Sequence, residues 1–379
     1  MVAFTPYSPG WLTDPYAEYR ALRAEEPVHW SDELRHWVLT RHADVELVLK
    51  DERFSAANRP PQRRWGTPTT MVTADPPDHA RLRRPTTRRF TTDAIDAMRP
   101  RVQEVVDALL AEVATAGRMD VVADLARPLP RTIISELLGV HHAGAPAQRA
   151  AQDDPHGGAR REGGMGASMS VPGEDYFQQA IERHRAEVED DLLQDLLRAE
   201  AGREMSPEEV LDSAMILYGA GQETTAKLIA SGVYHLLRRP ELAARLRTDP
   251  TLAVAATEEL LRYDPPVQAV SRRALEDVEL GGRAVRKGEK LLCVLGAANR
   301  DPDVFDHPDE LDFDRGENPH VTFGTGRHVC LGAGLARAEI QSALGTLFRR
   351  YPGLALETDD VVWEGSLILR GLSALPVTL

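Results

Sequence analysis

The stretch from residue 323 to residue 332 reads FGTGRHVCLG, and it decides how the rest of the chain is interpreted. Three of its ten residues are glycines, and they flank Cys330 directly before a helix predicted over 333–350. Glycine lets backbone N–H groups come close to a sulfur atom, and a helix N-terminus favours a thiolate. A single thiolate in a tight, amide-rich loop suits an axial ligand to haem iron. A lone cysteine is more often buried and inert, but the complete ten-residue pattern favours the ligand.

The composition is that of an ordinary globular protein of 379 residues, 42% apolar and 27% charged, which excludes a disordered or collagen-like chain. Two cysteines, Cys293 and Cys330, are too few for a disulfide scaffold or a four-thiolate zinc site. The formal net charge of −14 disfavours general binding to nucleic acid or to an anionic membrane. Because the sequence shows neither a membrane-spanning apolar run nor a secretory signal, we expect a soluble, cytoplasmic protein. No linker divides the chain, so we expect one domain over 1–379.

Helical patterns dominate the chain. Asp14 and Pro15 predict the start of a helix that runs to about Glu26, and strand-like runs at 27–31 and 36–40 predict a hairpin. Further helices are predicted over 43–50, from near Asp78 to Leu138 with breaks, and over 241–247, 251–263 and 333–350. Small strands are predicted between 267 and 296, with two short strands at the end of the chain.

The clearest helix is predicted from Ser206 to Arg239. It opens with Ser206-Pro207-Glu208-Glu209, a capping box with proline at the first helical position. Its apolar positions cover much of the circumference, so we expect it to cross the core.

The middle of this helix, residues 220–225, reads AGQETT, which includes a glycine and two threonines that helix propensity disfavours. The hydroxyl of Thr224 is expected to turn back to the carbonyl of Ala220 and to loosen the helix there. Beside the carboxylate of Glu223, such a widened turn would hold dioxygen and relay protons. The alternative is a helix-packing glycine next to a threonine whose hydroxyl is already satisfied.

Both patterns resemble motifs of the cytochrome P-450 family of haem-thiolate monooxygenases. Residues 323–332 match the family's haem loop, F-G-x-G-x-[HR]-x-C-x-G, at every fixed position. Residues 220–225 match its oxygen-activation motif, [AG]-G-x-[DE]-T-[TS]. The resemblance covers roughly 10–140 and 174–379, and it departs from the family pattern over 141–173.

The resemblance implies a role for each matching residue. Cys330 would be the proximal iron ligand, Thr224 would manage oxygen beside the iron, and Glu223 would be the acid of the proton relay. Ala220, Phe323, Gly324 and Gly332 would also lie against the haem.

Haem propionates require cations, and several are implied by the resemblance. Asp75-Pro76-Pro77 followed by His79 and Arg83 resembles the family's DPP-x-H-x-x-x-R, in which the last two share a helix face. Arg272 and His328 match further propionate partners. Glu259 and Arg262, with Arg315 before the cysteine loop, resemble a buried structural ion triad that we assign to folding and haem retention.

The implied substrate pocket is mostly apolar, which is usual for small-molecule sites. Gln268 is its possible polar anchor, and loop 56–72 is its expected roof. Residues 143–173, rich in glycine and methionine, indicate either a mobile surface loop or a lid that admits a ligand. The predicted walls are Ile216, Gly219, Val267, Gln268, Val270, Ile368 and Leu369.

The resemblance implies a mainly α fold: a helical prism with a small β-rich subregion and haem b (iron protoporphyrin IX) between the long helix and the cysteine loop. The implied activity is insertion of one oxygen atom from O2 into a small organic, secondary-metabolite type of molecule by a monomeric enzyme. Electrons would come from a ferredoxin or flavodoxin served by a nicotinamide-dependent reductase. A peroxide-driven peroxygenase and a non-catalytic haem sensor are the alternatives, and the Glu223-Thr224 pair argues against both.

Residues 81–89 hold five arginines in an otherwise acidic chain. With Arg83 turned towards a propionate, Arg81, Arg84, Arg88 and Arg89 are predicted to form a basic patch that steers an acidic electron donor. A solvated helix face without a partner is the alternative.

Overall fold

The computed structural model describes residues 4–8, 10–57, 70–140 and 171–379. Within these residues, helices contain far more of the chain than strands do. The α-helices are α1 (Tyr16–Glu25), α2 (His42–Lys50), α3 (Asp78–Thr87), α4 (Thr92–Val113), α5 (Pro128–Leu138), α6 (Glu174–Ala186), α7 (Leu192–Ala201), α8 (Pro207–Leu237), α9 (Pro240–Thr248), α10 (Ala253–Tyr263), α11 (Leu295–Ala298) and α12 (Ala333–Arg350).

The strands are short and form four small sheets within the described residues. They are β1 (Val28–Ser31), β2 (His36–Leu39), β3 (Phe54–Ser55), β4 (Arg118–Asp120), β5 (Ala269–Ala274), β6 (Val278–Leu280), β7 (Arg283–Val285), β8 (Lys290–Val294), β9 (Ala355–Leu356), β10 (Trp363–Gly365), β11 (Arg370–Leu372) and β12 (Pro376–Thr378).

The largest sheet has five strands in the order β1-β2-β8-β5-β3. The predicted hairpin is confirmed as the antiparallel pair β1–β2, and the small strands predicted between 267 and 296 are confirmed as β5 to β8. The prediction of two strands at the end of the chain is wrong, because four are present there. β12 pairs with both β4 and β9, and such pairing between distant segments leaves no local periodicity in the sequence.

Helix α8 crosses the core as expected. Ser206 accepts from the Glu209 N–H and the Glu209 side chain accepts from the Ser206 N–H, so the predicted capping box is complete. The helix spans 31 residues and ends at Leu237, with Arg238 as its C-cap, two residues earlier than predicted. Its second half is almost entirely buried and packs in the main hydrophobic cluster with α4, α10 and α12.

A buried ion triad joins α10 to the chain segment that leads to the cysteine loop. Glu259 accepts from Arg262 at 2.7 Å and from Arg315 at 3.1 Å, as the family pattern implied. Arg262 also donates to the carbonyl oxygens of Asn299 and Pro308, so each buried charge has several partners. Breaking a pair of this kind leaves an uncompensated buried charge.

Two of the sequence predictions fall largely outside the described residues. These are the glycine- and methionine-rich segment 143–173 and the pocket roof over 56–72. At the described end of the roof loop, Met71 is buried in a second hydrophobic cluster with Leu82 and Ile134, whereas Val72 is exposed.

Candidate active site

The cysteine loop, residues 323–332, owes its shape to its glycines. Gly324 and Gly326 have left-handed backbone conformations, with φ of 67° and 68°. A Cβ atom on Gly326 would lie 3.1 Å from the Leu49 carbonyl oxygen, so a side chain there would be crowded as well as strained. The Cys330 N–H donates to the Phe323 carbonyl oxygen at 2.8 Å and closes the loop.

Cys330 is exposed, whereas Cys293 in β8 is completely buried. Surrounding protein nevertheless desolvates the Cys330 thiol and raises its pKa, although a hydrogen bond with the Gly332 backbone and the charge of Arg83 lower it. Coordination to a metal cation would deprotonate the sulfur.

The second cysteine, Cys293, is completely buried in β8. Burial raises the pKa of the Cys293 thiol to about 12, so this side chain behaves as an inert, apolar part of the sheet.

Four basic side chains converge beside the loop: His79, His328, Arg83 and Arg272. The imidazole rings of His79 and His328 lie 4.3 Å apart, and each leaves a buried Nε2 without a hydrogen-bond partner among the described residues. Burial, Arg272 and His79 together lower the pKa of His328 to about 3, so its ring is neutral. Arg272 is buried and donates to the carbonyl oxygen of Ser271. Because buried cations normally pair with anions, the cluster has the character of an anion site.

Arg83 approaches this cluster from α3. Its guanidinium donates to the carbonyl oxygen of Val329 at 2.7 Å and lies 3.5 Å from that of Arg327. The motif residue therefore holds the cysteine loop directly, which the family pattern alone did not indicate.

Ala220 is exposed although it lies midway along the core-crossing helix α8. The Thr224 hydroxyl donates to the Ala220 carbonyl oxygen at 3.1 Å, as predicted. The expected loosening is absent, since α8 is an unbroken α-helix through this turn. Gly221 packs against α5, where a Cβ atom would lie 2.8 Å from Ile134, so the glycine also serves helix packing.

Glu223 turns away from this turn of the helix. Its carboxylate lies 3.4 Å from the ammonium of Lys227, one turn further along α8. Lys227 also pairs with Glu364 in β10, at 3.1 Å. Sequence reasoning missed Lys227, although the four-residue spacing from Glu223 was a visible signal.

The predicted pocket walls divide into two groups. Ile216, Val267, Val270 and Ile368 are partly exposed, so each has surface to offer a ligand. Gly219, Gln268 and Leu369 are buried and offer a ligand little surface in this structure, so their assignment as walls stays a prediction.

Gln268 is held by hydrogen bonds within the protein. Its amide donates to the Pro265 carbonyl oxygen at 2.7 Å, and its amide oxygen accepts from the Tyr19 hydroxyl at 3.2 Å. Leu369 is buried and forms an isolated antiparallel backbone bridge with Val267.

Comparisons with known proteins agree with this geometry. The family model for cytochrome P450 matches residues 169–362. The chain is 39% identical to nocardicin C N-oxygenase of Nocardia uniformis subsp. tsuyamanensis, with 98% of both chains covered. It is 40% identical to the monooxygenase PikC of Streptomyces venezuelae, with 97% of this chain and 91% of PikC covered. The chain belongs to the cytochrome P450 family.

Solved P450 structures match the fold over nearly the whole chain. CalO2 superposes with a TM-score of 0.89 at 34% identity, covering 100% of this chain and 99% of CalO2. The polyketide synthase P450 PksS of Bacillus subtilis superposes with a TM-score of 0.88 at 33% identity, covering 99% of both chains. This P450 is therefore a monooxygenase with the family's mainly helical fold, and haem is its cofactor.

The residues of this P450 fit a haem group. The unpartnered Nε2 atoms of His79 and His328, with the buried Arg272, supply donors and positive charge for propionates. The exposed sulfur of Cys330 is the donor that suits the iron.

The four arginines predicted to form a basic patch within residues 81–89 are each paired with carboxylates, so their positive charge is largely neutralised. Arg81 lies 2.8 Å from Glu209 and Arg84 lies 2.6 Å from Glu204. Arg88 and Arg89 both pair with Asp195, which is nearly buried. These carboxylates come from segments far along the chain, so counting arginines within residues 81–89 overstated the local positive charge.

Proposed function

We propose that this P450 inserts one oxygen atom from O2 into a small, largely apolar organic molecule of the secondary-metabolite class. The names of two relatives support this class, because nocardicin C N-oxygenase and 6-deoxyerythronolide B hydroxylase are named for such substrates. The partly exposed side chains of Ile216, Val267, Val270 and Ile368 suit an apolar ligand.

The observation that carries the mechanism is the exposed Cys330 beside two arginines, Arg83 and Arg272, and the two histidines whose buried Nε2 atoms have no hydrogen-bond partner among the described residues. When bound, haem supplies the iron at which two electrons and two protons reduce O2, so that one oxygen atom enters the substrate and the other leaves as water. Cys330 would ligate the iron, and His79, Arg83, Arg272 and His328 would orient the group through its carboxylates.

Thr224 and Glu223 would manage the protons. The Thr224 hydroxyl donates to the Ala220 carbonyl oxygen, and rotation about χ1 would free it to donate a proton during the reaction. Glu223, the next residue back along α8, is the nearest carboxylic acid in the motif for resupplying that proton.

Electrons would reach the haem from a ferredoxin or flavodoxin with a nicotinamide-dependent reductase, since P450 monooxygenases use redox partners. Val329, directly before Cys330, is 41% exposed, so a partner bound at this part of the cysteine loop would have a short path for electron transfer to Cys330. The full chain 1–379 would act as one monomeric domain. Among the described helices, none is long and apolar enough to cross a membrane.

Turnover under isotopically labelled dioxygen tests the proposal. Polyketide- and peptide-derived candidates are first screened against the ferric holoprotein for a shift of the haem absorbance. Bound candidates are then incubated with 18O2, ferredoxin, reductase and nicotinamide cofactor. We expect one labelled oxygen atom per oxygenated product. Equal turnover with hydrogen peroxide and no reductase would favour a peroxygenase, and binding without product under either regime would favour a sensor.

A further inference from the structure

Three side chains of metal-binding type converge where helix α6 ends and helix α7 begins. They are His184 in the last turn of α6, Glu189 in the connecting loop, and Asp191 at the N-cap of α7. One donor atom of each lies within 4.8 Å of the other two, and among the described residues this is the one such group of three. The His184 side chain is completely buried and Asp191 is nearly so, whereas Glu189 is only partly buried.

The surroundings of His184 make its Nε2 atom a suitable metal ligand. Nδ1 lies 2.8 Å from the carbonyl oxygen of Ala180, and because a carbonyl oxygen can only accept, Nδ1 carries a hydrogen. In the neutral ring Nε2 then bears a lone pair, and it lies 2.8 Å from Oδ2 of Asp191, which is also an acceptor. Two buried acceptor atoms this close require a positive charge between them, either a proton on Nε2 or a metal ion.

The backbone around the pair fixes both donor atoms in place. The second oxygen of Asp191, Oδ1, accepts from the Gln194 N–H at 2.9 Å, so the N-cap orients this carboxylate. Gly139, the C-cap of α5, has φ of 70°, and a Cβ atom there would collide with Oδ2 of Asp191 and lie 2.7 Å from Nε2 of His184. Arg183 donates to the Gly139 carbonyl oxygen at 2.8 Å. A glycine backbone therefore closes one side of the group, and an arginine holds that backbone.

The spacing and the ligand types suit a divalent transition metal. Two ligand bonds of about 2.1 Å at right angles place their donor atoms about 3.0 Å apart, close to the 2.8 Å between His184 and Asp191. A proton on His184 serves Asp191 alone, whereas an ion can also bind the carboxylate of Glu189. Two carboxylates and a neutral imidazole balance the charge of Zn²⁺, which accepts both ligand types. Calcium and magnesium prefer oxygen ligands.

We propose that His184, Glu189 and Asp191 bind one Zn²⁺ ion, with water in the remaining position. Because Glu189 is only partly buried, the ion enters from its side. Bound there, it joins the last turn of α6 to the first turn of α7 and lies against the end of α5, so it stabilises the corner at which the three helices meet. The group shares no residue with the candidate active site, and the inference is independent of the function proposed above.

Zinc binding to the ferric holoprotein tests the proposal. Protein dialysed against a chelator is titrated with Zn²⁺ by calorimetry, and elemental analysis counts zinc against haem iron. We expect one zinc ion per haem with a micromolar or lower Kd. Glu189→Gln, and Asp191→Asn, which keeps the N-cap, should each raise the Kd by about tenfold or more, since even the partners of metal ligands contribute that much. His184→Gln should abolish binding.

His29→Gln is the matched control. His29 also lies 2.8 Å from a carboxylate, that of Glu26, but the pair belongs to no three-donor group among the residues described. Zinc affinity should therefore be unchanged in this variant. Excess zinc should raise the unfolding temperature of wild type and His29→Gln by a few degrees, and that of Glu189→Gln by less. Absorption at the zinc K-edge should show one imidazole nitrogen with oxygen ligands at about 2.0–2.2 Å.

Two results would overturn the proposal. If Glu189→Gln and Asp191→Asn bind zinc as tightly as wild type does, the ion lies elsewhere. If wild type takes up no zinc at micromolar concentration, a proton on His184 makes the contact with Asp191 and there is no metal site. Should His184→Gln fail to fold, the affinities of Glu189→Gln and Asp191→Asn decide the question.

Discussion

Arg83 donates a hydrogen bond to the carbonyl oxygen of Val329 at 2.7 Å, and this contact ties helix α3 to the residue directly before Cys330. The two residues are 246 positions apart. The contact restrains the backbone beside the sulfur of Cys330, so we expect Arg83 to stabilise haem binding independently of any hydrogen bond to a propionate.

Replacing Arg83 by leucine should therefore weaken haem binding. A hydrogen bond from a charged group is worth about 1.5–3 kcal/mol, which corresponds to at least a tenfold faster loss of haem. Transfer of haem to an excess of apomyoglobin measures the rate. Arg84→Leu is the control, because Arg84 lies on the same helix as Arg83 but forms only an exposed ion pair with Glu204. The Arg84→Leu variant should lose haem at the wild-type rate.

The two cysteines should respond differently to serine. Cys330→Ser should abolish the strongly red-shifted absorbance band that the reduced, carbon monoxide-bound protein gives with a thiolate ligand. Cys293→Ser should keep that band, because Cys293 is buried in β8. A red-shifted band in Cys330→Ser would assign the ligand to another residue.

Removing the Thr224 hydroxyl should uncouple electron use from product. Thr224→Ala should bind haem and substrate normally but divert most electrons into hydrogen peroxide, since the proton donor beside Ala220 is gone. The measurement is product and peroxide per nicotinamide cofactor consumed. Thr225→Ala removes the same atoms from the adjacent, buried position, and its product yield per electron should stay close to that of wild type.

The Glu259 triad should dominate stability. Glu259→Gln leaves Arg262 buried without a full counter-charge, and a broken buried pair costs about 3–5 kcal/mol. The matched change Glu46→Gln breaks an exposed pair with Lys50 and should cost less than about 1 kcal/mol. Urea unfolding followed by circular dichroism compares the two, and equal midpoints would contradict the prediction.

Acid should weaken the protein partly through Glu258. Burial raises the pKa of this carboxyl, but the hydrogen bonds with His320 and Arg337 outweigh burial. The net pKa is about 2, compared with an ordinary value of 4.5. A depressed carboxyl pKa adds stability that is complete above pH 4.5 and is lost as pH falls towards 2. Glu258→Gln should therefore lie below wild type in unfolding temperature near neutral pH, and this difference should shrink below pH 4.5. A constant difference down to about pH 3 would show that Glu258 does not carry the effect.

The sequence by itself determined the local features of this P450. The helix predicted over 333–350 is observed as Ala333–Arg350, and the capping box at Ser206 starts α8 as expected. The glycines at 324 and 326 are required by left-handed backbone conformations. These features depend on residues within a few positions of one another, so the order of residues is enough to specify them.

Only the tertiary structure decided the partners of long polar side chains. Gln268 was predicted as a possible ligand anchor, but its side-chain amide forms hydrogen bonds with Tyr16 and Tyr19, about 250 positions away. The arginines of residues 81–89 were predicted to form a basic patch, but their carboxylate partners come from distant segments, and Lys227 pairs with Glu364 in the distant strand β10. A buried polar group takes whichever partner the folded backbone brings within about 3 Å, and that partner is set by long-range packing and not by neighbours in the sequence.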